Sequence, residues 1–188
     1  MVGLHSPQRD KKMIEVEVKA RAKPDTKEMI EALGAVYAGT EHQHDIYFNS
    51  PLKDFRTSDE ALRIRIKEEG PRLTYKGPKL DPLTKTRLEL TTEIARPLEM
   101  EQILLSLGFV RSAEVKKCRV KYALGRMTFA LDEVEGLGSF LEIEASASDE
   151  EDWTEKSKEV LDVLSGLGLH GTIRKSYLEL LEEKHRII

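Results

Sequence analysis

Charged and apolar residues alternate strictly in several short segments, and this pattern constrains the chain more than any other feature. Ile14, Val16 and Val18 alternate with Glu15, Glu17 and Lys19. Leu62, Ile64 and Ile66 alternate with Arg63, Arg65 and Lys67, and Leu73 and Tyr75 with Thr74 and Lys76. Leu88 and Leu90 alternate with Arg87, Glu89 and Thr91, and Cys118, Val120 and Tyr122 with Lys117, Arg119 and Lys121. Phe129 and Leu131 alternate with Thr128, Ala130 and Asp132, and Leu141 and Ile143 with Glu142 and Glu144. A period of two separates the two sets onto opposite faces of a strand. The pattern therefore predicts seven amphipathic strands, each with one face to cover and one charged face to place.

The cover is expected from helices. Pro early and Gly late is the ordinary asymmetry of a helix. Pro24-Asp25 and Gly34 bracket one, with Met29, Ile30 and Leu33 as its stripe. Pro97 and Gly108 bracket a second, with Met100, Ile103, Leu104 and Leu107. Asp152 and Gly168 bracket a third, with Trp153, Val160, Leu161 and Leu164 turned inward. A short fourth is predicted near Arg174–Lys184, with Tyr177, Leu178 and Leu181 on one face. Gly70-Pro71, Gly77-Pro78 and Asp81-Pro82 mark turns. Strands outnumber helices without regular βα alternation, so the class is α+β.

A faint repeat runs through the chain. Strand, Pro, helix, Leu-Gly and strand occur over 14–48 and again over 88–122, so that Leu33-Gly34 maps to Leu107-Gly108 and Glu15 to Glu89. This predicts two half-sheets about a pseudo-twofold axis. No Pro-, Gly- or Ser-rich linker divides them. The expected organisation is one domain over 13–183, with an extension at 1–12 and a tail at 184–188.

Composition removes several classes. A net charge of −4 gives no general attraction to nucleic acid or anionic lipid, and 6% aromatic residues argue against a base-stacking platform. A single cysteine, Cys118, excludes an internal disulfide and a thiolate metal cage. No apolar run is long enough for a transmembrane helix, and residues 1–12 are polar rather than signal-like. The expectation is a reduced, cytoplasmic protein without nucleic-acid or membrane partners; a homodimer is compatible with it.

The charged faces carry the chemistry. Acids gather on some strands (Glu15 and Glu17; Asp132; Glu142 and Glu144) and bases on others (Arg63 and Arg65; Lys117 and Arg119). Carboxylates two residues apart on one face lie about 7 Å apart and repel unless a cation sits between them. Such a set offers hard oxygen ligands to Mg²⁺ or Mn²⁺. Guanidinium pairs bind phosphate oxygens bidentately. Counting Lys19, Arg63, Arg65, Lys76, Arg87, Lys117, Arg119 and Lys175 against Glu15, Glu17, Glu89, Asp132, Glu142 and Glu144 leaves two more bases than acids. One divalent ion on a wall of that charge suits a triphosphate. No phosphate-binding glycine loop is present, and Gly136-Leu137-Gly138 lacks the third glycine of a dinucleotide fingerprint. Phosphate binding therefore falls to side chains.

Glu15-Val16-Glu17-Val18-Lys19 is an ExExK pattern. It is followed by Leu62-Arg63-Ile64-Arg65, Thr74-Tyr75-Lys76-Gly77-Pro78, Lys117-x-Arg119, Leu131-Asp132-x-Val134-x-Gly136-Leu137-Gly138, Leu141-Glu142-Ile143-Glu144 and Lys175-Ser176-Tyr177. In order and spacing the chain resembles the CYTH family, the triphosphate tunnel metalloenzymes, and within it the class IV adenylyl cyclase-like branch. The resemblance implies a closed eight-stranded antiparallel barrel with helices packed outside, Asp45-Ile46-Tyr47-Phe48 supplying the eighth strand. It implies metal binding by Glu15, Glu17, Asp132, Glu142 and Glu144, with Glu15, Glu17, Lys19 and Arg65 at the reacting centre. Lys19, Arg63, Arg65, Lys76, Lys117 and Arg119 would hold the triphosphate, Arg87 and Glu89 would tune the wall, and Lys175 would close the tunnel. It further implies conversion of ATP to cyclic AMP and pyrophosphate; hydrolysis of thiamine, inorganic or nucleoside triphosphate is the alternative. Non-catalytic polyphosphate binding and a structural barrel braced by ion pairs are the remaining readings.

Other features have plainer readings. His42-x-His44 lacks a third ligand and reads as surface. Cys118 lies on the apolar parity of its strand and reads as a buried, inert thiol. Trp153 reads as a helix anchor and Glu150-Glu151-Asp152 as a solvated loop favouring the next helix N-terminus. The basic run 116–121 is offset by acids on neighbouring strands.

Overall fold

A computed structural model describes residues 14–79, 87–147 and 153–186, except the side chains of 14, 15, 146, 147, 153, 185 and 186. The expectations at 1–12, Asp81-Pro82, Glu150–Asp152 and 187–188, and those for the side chains of Glu15 and Trp153, fall outside what is described. The elements are β1 (Ile14–Arg21), α1 (Thr26–Ala32), β2 (Val36–Asn49), β3 (Ala61–Ile66), β4 (Arg72–Lys79), β5 (Arg87–Glu93), α2 (Pro97–Ser106), β6 (Val110–Leu124), β7 (Met127–Val134), β8 (Gly138–Ala147), α3 (Trp153–Gly166) and α4 (Tyr177–Arg186). No described helix is long and apolar enough to cross a membrane.

The eight strands form one curled antiparallel sheet in the order β1-β8-β7-β6-β2-β3-β4-β5. Exchanging β1 with β5, β2 with β6, β3 with β7 and β4 with β8 returns the same order reversed. Among the described residues β1 pairs only with β8 and β5 only with β4, so the sheet is an open half-barrel rather than the closed barrel expected. Local alternation sets which face a residue takes, but not whether two edges meet. Curvature comes from the long central pair, where the β2–β6 register slips between Tyr37 and Gly39 and again between Tyr47 and Phe48. Bulges of this kind increase twist and bend the strand.

Three helices cover the convex face. Val16, Val18, Phe129, Leu141 and Ile143 pack with Ile30 of α1 and Val160 and Leu164 of α3. Ile46, Phe48 and Ile64 pack with Leu104 of α2. Contact is narrower than the sequence stripes suggest: Leu33, Ile103, Leu107 and Leu161 are exposed. The fourth helix departs from expectation. Tyr177 and Leu181 of α4 pack with Tyr47, Val115, Val134 and Phe140. These strand residues share the parity of the charged set, so α4 plugs one end of the concave face.

Candidate functional site

The concave face encloses a cavity of about 550 Å³. Alternation places the charged residues there because the apolar residues of most strands are taken up by the convex core; β5 is the exception, with Leu88 and Leu90 exposed. Glu17 and Lys19 of β1, Arg63 and Arg65 of β3, Lys76 of β4, Arg87 and Glu89 of β5, Lys117 and Arg119 of β6, and Glu142 and Glu144 of β8 all line it. Among the described residues, ten basic and eleven acidic side chains contribute to its wall. Among the described residues the wall therefore shows no excess of bases, because β2 brings in Glu41 and Asp45 and the rim adds further acids.

Two buried aspartates organise the bases. Asp45 on β2 faces Arg65 in register and accepts from its Nε at 2.6 Å and Nη2 at 2.7 Å, with Arg63 Nη1 at 3.4 Å. Burial alone would raise the Asp45 carboxyl, but Arg63 and Arg65 outweigh it and hold the group at about 2. Asp132 on β7 faces Arg119 and accepts from its Nε and Nη2, both at 2.7 Å. Lys117 Nζ at 2.9 Å and the Tyr177 hydroxyl at 2.8 Å complete its partners. Burial would lower the Arg119 pKa, yet Asp132 and Glu142 raise it well above the ordinary value. Lys117 moves the other way, pushed down by burial and by the neighbouring Arg119. Lys76 is lowered too, by burial first and Arg63 second, although Glu89 accepts from it at 2.6 Å.

The carboxylates divide into two groups. Glu17, Glu142 and Glu144 bring an oxygen each within 4.8 Å of one another. Pairing of β1 with β8 causes this, since Glu17 stands opposite Glu144 and Lys19 opposite Glu142. Three convergent carboxylate oxygens are a donor set that fits a hard divalent cation. Asp132 lies apart from them, is absent from the cavity wall, and is 1% exposed beneath Arg119 and Lys117.

Lys19 Nζ meets Glu142 at 3.3 Å, the Lys175 carbonyl at 2.9 Å, and the Tyr177 ring at 3.9 Å from its centroid. The Lys175 side chain is not brought into the cavity. It is half exposed and pairs with Glu183, and only its carbonyl reaches the Lys19 ammonium.

Sequence reasoning missed the inner face of β2. Glu41, Gln43, Asp45 and Tyr47 line the cavity, as do Lys67, Lys121 and Tyr177. The signal was the polar alternation through 41–47, overshadowed by the histidines. His42 and His44 take the other face, against Glu68 at 3.1 Å and Glu114 at 3.0 Å. Cys118 shares that outer face and is half-buried rather than buried.

The CYTH domain profile matches residues 13–177. The Methanocaldococcus jannaschii protein named "Putative adenylate cyclase MJ0240" is 41% identical over 172 residues, covering 89% of this chain and 98% of that protein. The PH1819 protein of Pyrococcus horikoshii superposes with a TM-score of 0.84 at 41% identity, over 90% of this chain and 99% of the other. The Hippeastrum protein named "Putative adenylyl cyclase HpAC1", described as having a dominant triphosphatase activity, superposes with a TM-score of 0.65 at 22% identity, over 92% of this chain and 96% of the other. The matched span, the strand-borne acids and bases of the concave face and these similarities lead to one conclusion: the chain belongs to the CYTH domain family.

Proposed function

We propose that this chain is a metal-dependent enzyme acting on a triphosphate in the concave cavity, and that its reaction is the cyclisation of ATP to cyclic AMP and pyrophosphate. The observation that carries the reading is the placement of Glu17, Glu142 and Glu144 within 4.8 Å of one another on a wall that also carries Lys19, Arg63, Lys76 and Arg119. Simple anion binding would gain from losing those acids, although Arg119 pairs with both Glu142 and Glu144 and Lys19 with Glu142. Acids slightly outnumber bases among the described residues of this wall, so a triphosphate is expected to enter together with cations rather than bare.

Glu17, Glu142 and Glu144 would hold Mg²⁺ or Mn²⁺. A divalent ion there would lower the pKa of an attacking hydroxyl and neutralise charge on the leaving phosphates. Lys76, Arg63 and Arg119 would bind and orient the phosphate oxygens and stabilise the charge that grows on them. Lys19, fixed by Glu142 and the Lys175 carbonyl, would hold its ammonium toward the same oxygens. Asp132 and Asp45 are assigned here to positioning the bases, and Lys175 to anchoring Lys19 through its backbone. In cyclisation the ribose 3′-oxygen bonds to the α-phosphorus as the bond to the bridging oxygen breaks and pyrophosphate leaves. In the second reading water attacks the terminal phosphorus within the same walls; the activity described for the Hippeastrum protein supports it. The symmetric strand order supports an origin of the sheet from two related halves.

Product analysis with ATP and Mg²⁺ or Mn²⁺ tests the reading. Cyclic AMP with pyrophosphate supports cyclisation, ADP with phosphate moves the assignment to hydrolysis, and no turnover of ATP, thiamine triphosphate or inorganic triphosphate overturns the enzymatic reading.

A further inference from the structure

Gln43 stands out on the inner face of β2. It is 3% exposed and lines the cavity between Glu41 and Asp45. Its Nε2 donates to Glu41 Oε1. Its Oε1 is buried and has no hydrogen-bond partner among the described residues. An unmet acceptor in such a place is costly and calls for an explanation.

The amide cannot relieve this by turning over. Glu41 is met by Lys121 at 3.4 Å and Lys67 at 3.5 Å. Burial would raise its pKa, but Lys67, Gln43 and Lys121 together bring it below the ordinary carboxylate value. An ionised carboxylate only accepts, so Gln43 must present Nε2 to it and turn Oε1 away. A phosphate oxygen is also an acceptor, so it is a poor partner for Oε1. What Oε1 can take is an N–H or O–H group.

We infer that Gln43 is a specificity-determining residue whose Oε1 accepts a hydrogen bond from an amine or hydroxyl on the organic part of the triphosphate substrate. The inference rests on the triphosphate reading above. It orients the ligand, placing the phosphates among Arg63, Lys76 and Arg119 and the donor-bearing moiety at the Glu41–Gln43 level. The oxygen is enclosed, so a donor reaches it only as a neighbouring side chain moves. Lys67 and Lys121, long and held to Glu41 at 3.4–3.5 Å, are the flexible groups at that level.

The test is calorimetric titration of wild type and Gln43→Met with ATP, ITP, 2′-deoxy-ATP, 3′-deoxy-ATP and inorganic triphosphate, in Ca²⁺ to slow turnover. Methionine keeps the length and removes the acceptor. A neutral hydrogen bond at a buried site is worth about a tenfold change in affinity. The expected result is that the substitution weakens ATP about tenfold more than inorganic triphosphate, which has no organic donor. If ITP alone escapes that loss, the donor is the base amine; if one deoxy analogue escapes it, the donor is that hydroxyl. Equal effects on ATP and inorganic triphosphate overturn the inference and leave the triphosphate reading standing. Failure of wild type to bind inorganic triphosphate removes that reading, and this inference with it.

Discussion

The Asp45 carboxylate on β2 clasps the Arg65 guanidinium on β3 through two parallel hydrogen bonds, at 2.6 and 2.7 Å. The arrangement recurs across the sheet, where Asp132 on β7 clasps Arg119 on β6 through two bonds at 2.7 Å. In both places a carboxylate fixes the plane of an arginine, so these two guanidinium groups of the concave face are held by the fold itself.

This relationship changes what a substitution at Arg65 should do. Reading the sequence alone, one expects Arg65→Ala to weaken triphosphate binding far more than it affects unfolding. With Arg65 removed, however, the buried Asp45 keeps one side-chain hydrogen bond among the described residues, from Arg63 at 3.4 Å, and the more distant charge of Lys117. Breaking a buried pair costs about 3–5 kcal/mol. Urea unfolding should show a loss of that order alongside an increased KM; a variant as stable as wild type would mean that the clasp contributes nothing.

The same pair should shape the acid limb of stability. Asp45 is held at about 2 against an ordinary value of 3.8, so the unfolded chain takes up its proton first as pH falls. Its contribution is fully present above about pH 4 and is lost as pH falls toward 2, amounting to about 2 kcal/mol. Asp45→Asn should therefore show a shallower loss of stability across that window in urea titrations at successive pH values. An unchanged slope would assign the limb to other carboxylates.

Glu17→Gln keeps the shape of the side chain and removes one of the three convergent carboxylates. Turnover in Mg²⁺ or Mn²⁺ should be abolished while thermal denaturation without added metal stays within about 1 kcal/mol of wild type. Wild-type turnover in this variant would remove Glu17 from the metal site.

Tyr177→Phe removes the hydroxyl that donates to Asp132 at 2.8 Å and leaves the ring that Lys19 and Lys117 face. A hydrogen bond to a carboxylate is worth about 1.5–3 kcal/mol. Denaturant unfolding should register that loss, with KM rising because Asp132 also positions Arg119 and Lys117. A Tyr177→Phe protein indistinguishable from wild type in both respects would show that the plug at this end needs no polar anchor.

Much of this architecture was legible in local alternation. The parity of Glu17, Lys19, Arg63, Arg65, Lys117, Arg119, Glu142 and Glu144 follows from the apolar residues between them, and all of them line one cavity. Pairing was not legible. Asp132 has the same parity as its neighbours, yet its register with Arg119 and the approach of Tyr177 bury it away from the three-carboxylate cluster. Lys175 reads as one more base, but its side chain turns to Glu183 and its carbonyl does the work at Lys19. On β2 the polar set Glu41, Gln43 and Asp45 is interleaved with histidines rather than aliphatic residues, so the hydrophobic period is weak where the strand matters most.

Binding of inorganic triphosphate, with and without Mg²⁺, to wild type and to Glu17→Gln is the decisive measurement for a metal-dependent triphosphate site, because it needs neither turnover nor an organic moiety. A thermal shift or calorimetric titration should show wild type binding tightly only when Mg²⁺ is present, with stabilisation of about 2.7 kcal/mol at a hundredfold excess over Kd, and Glu17→Gln losing the metal dependence. Absence of any shift for wild type, or equal binding with and without the metal in both proteins, would contradict the account.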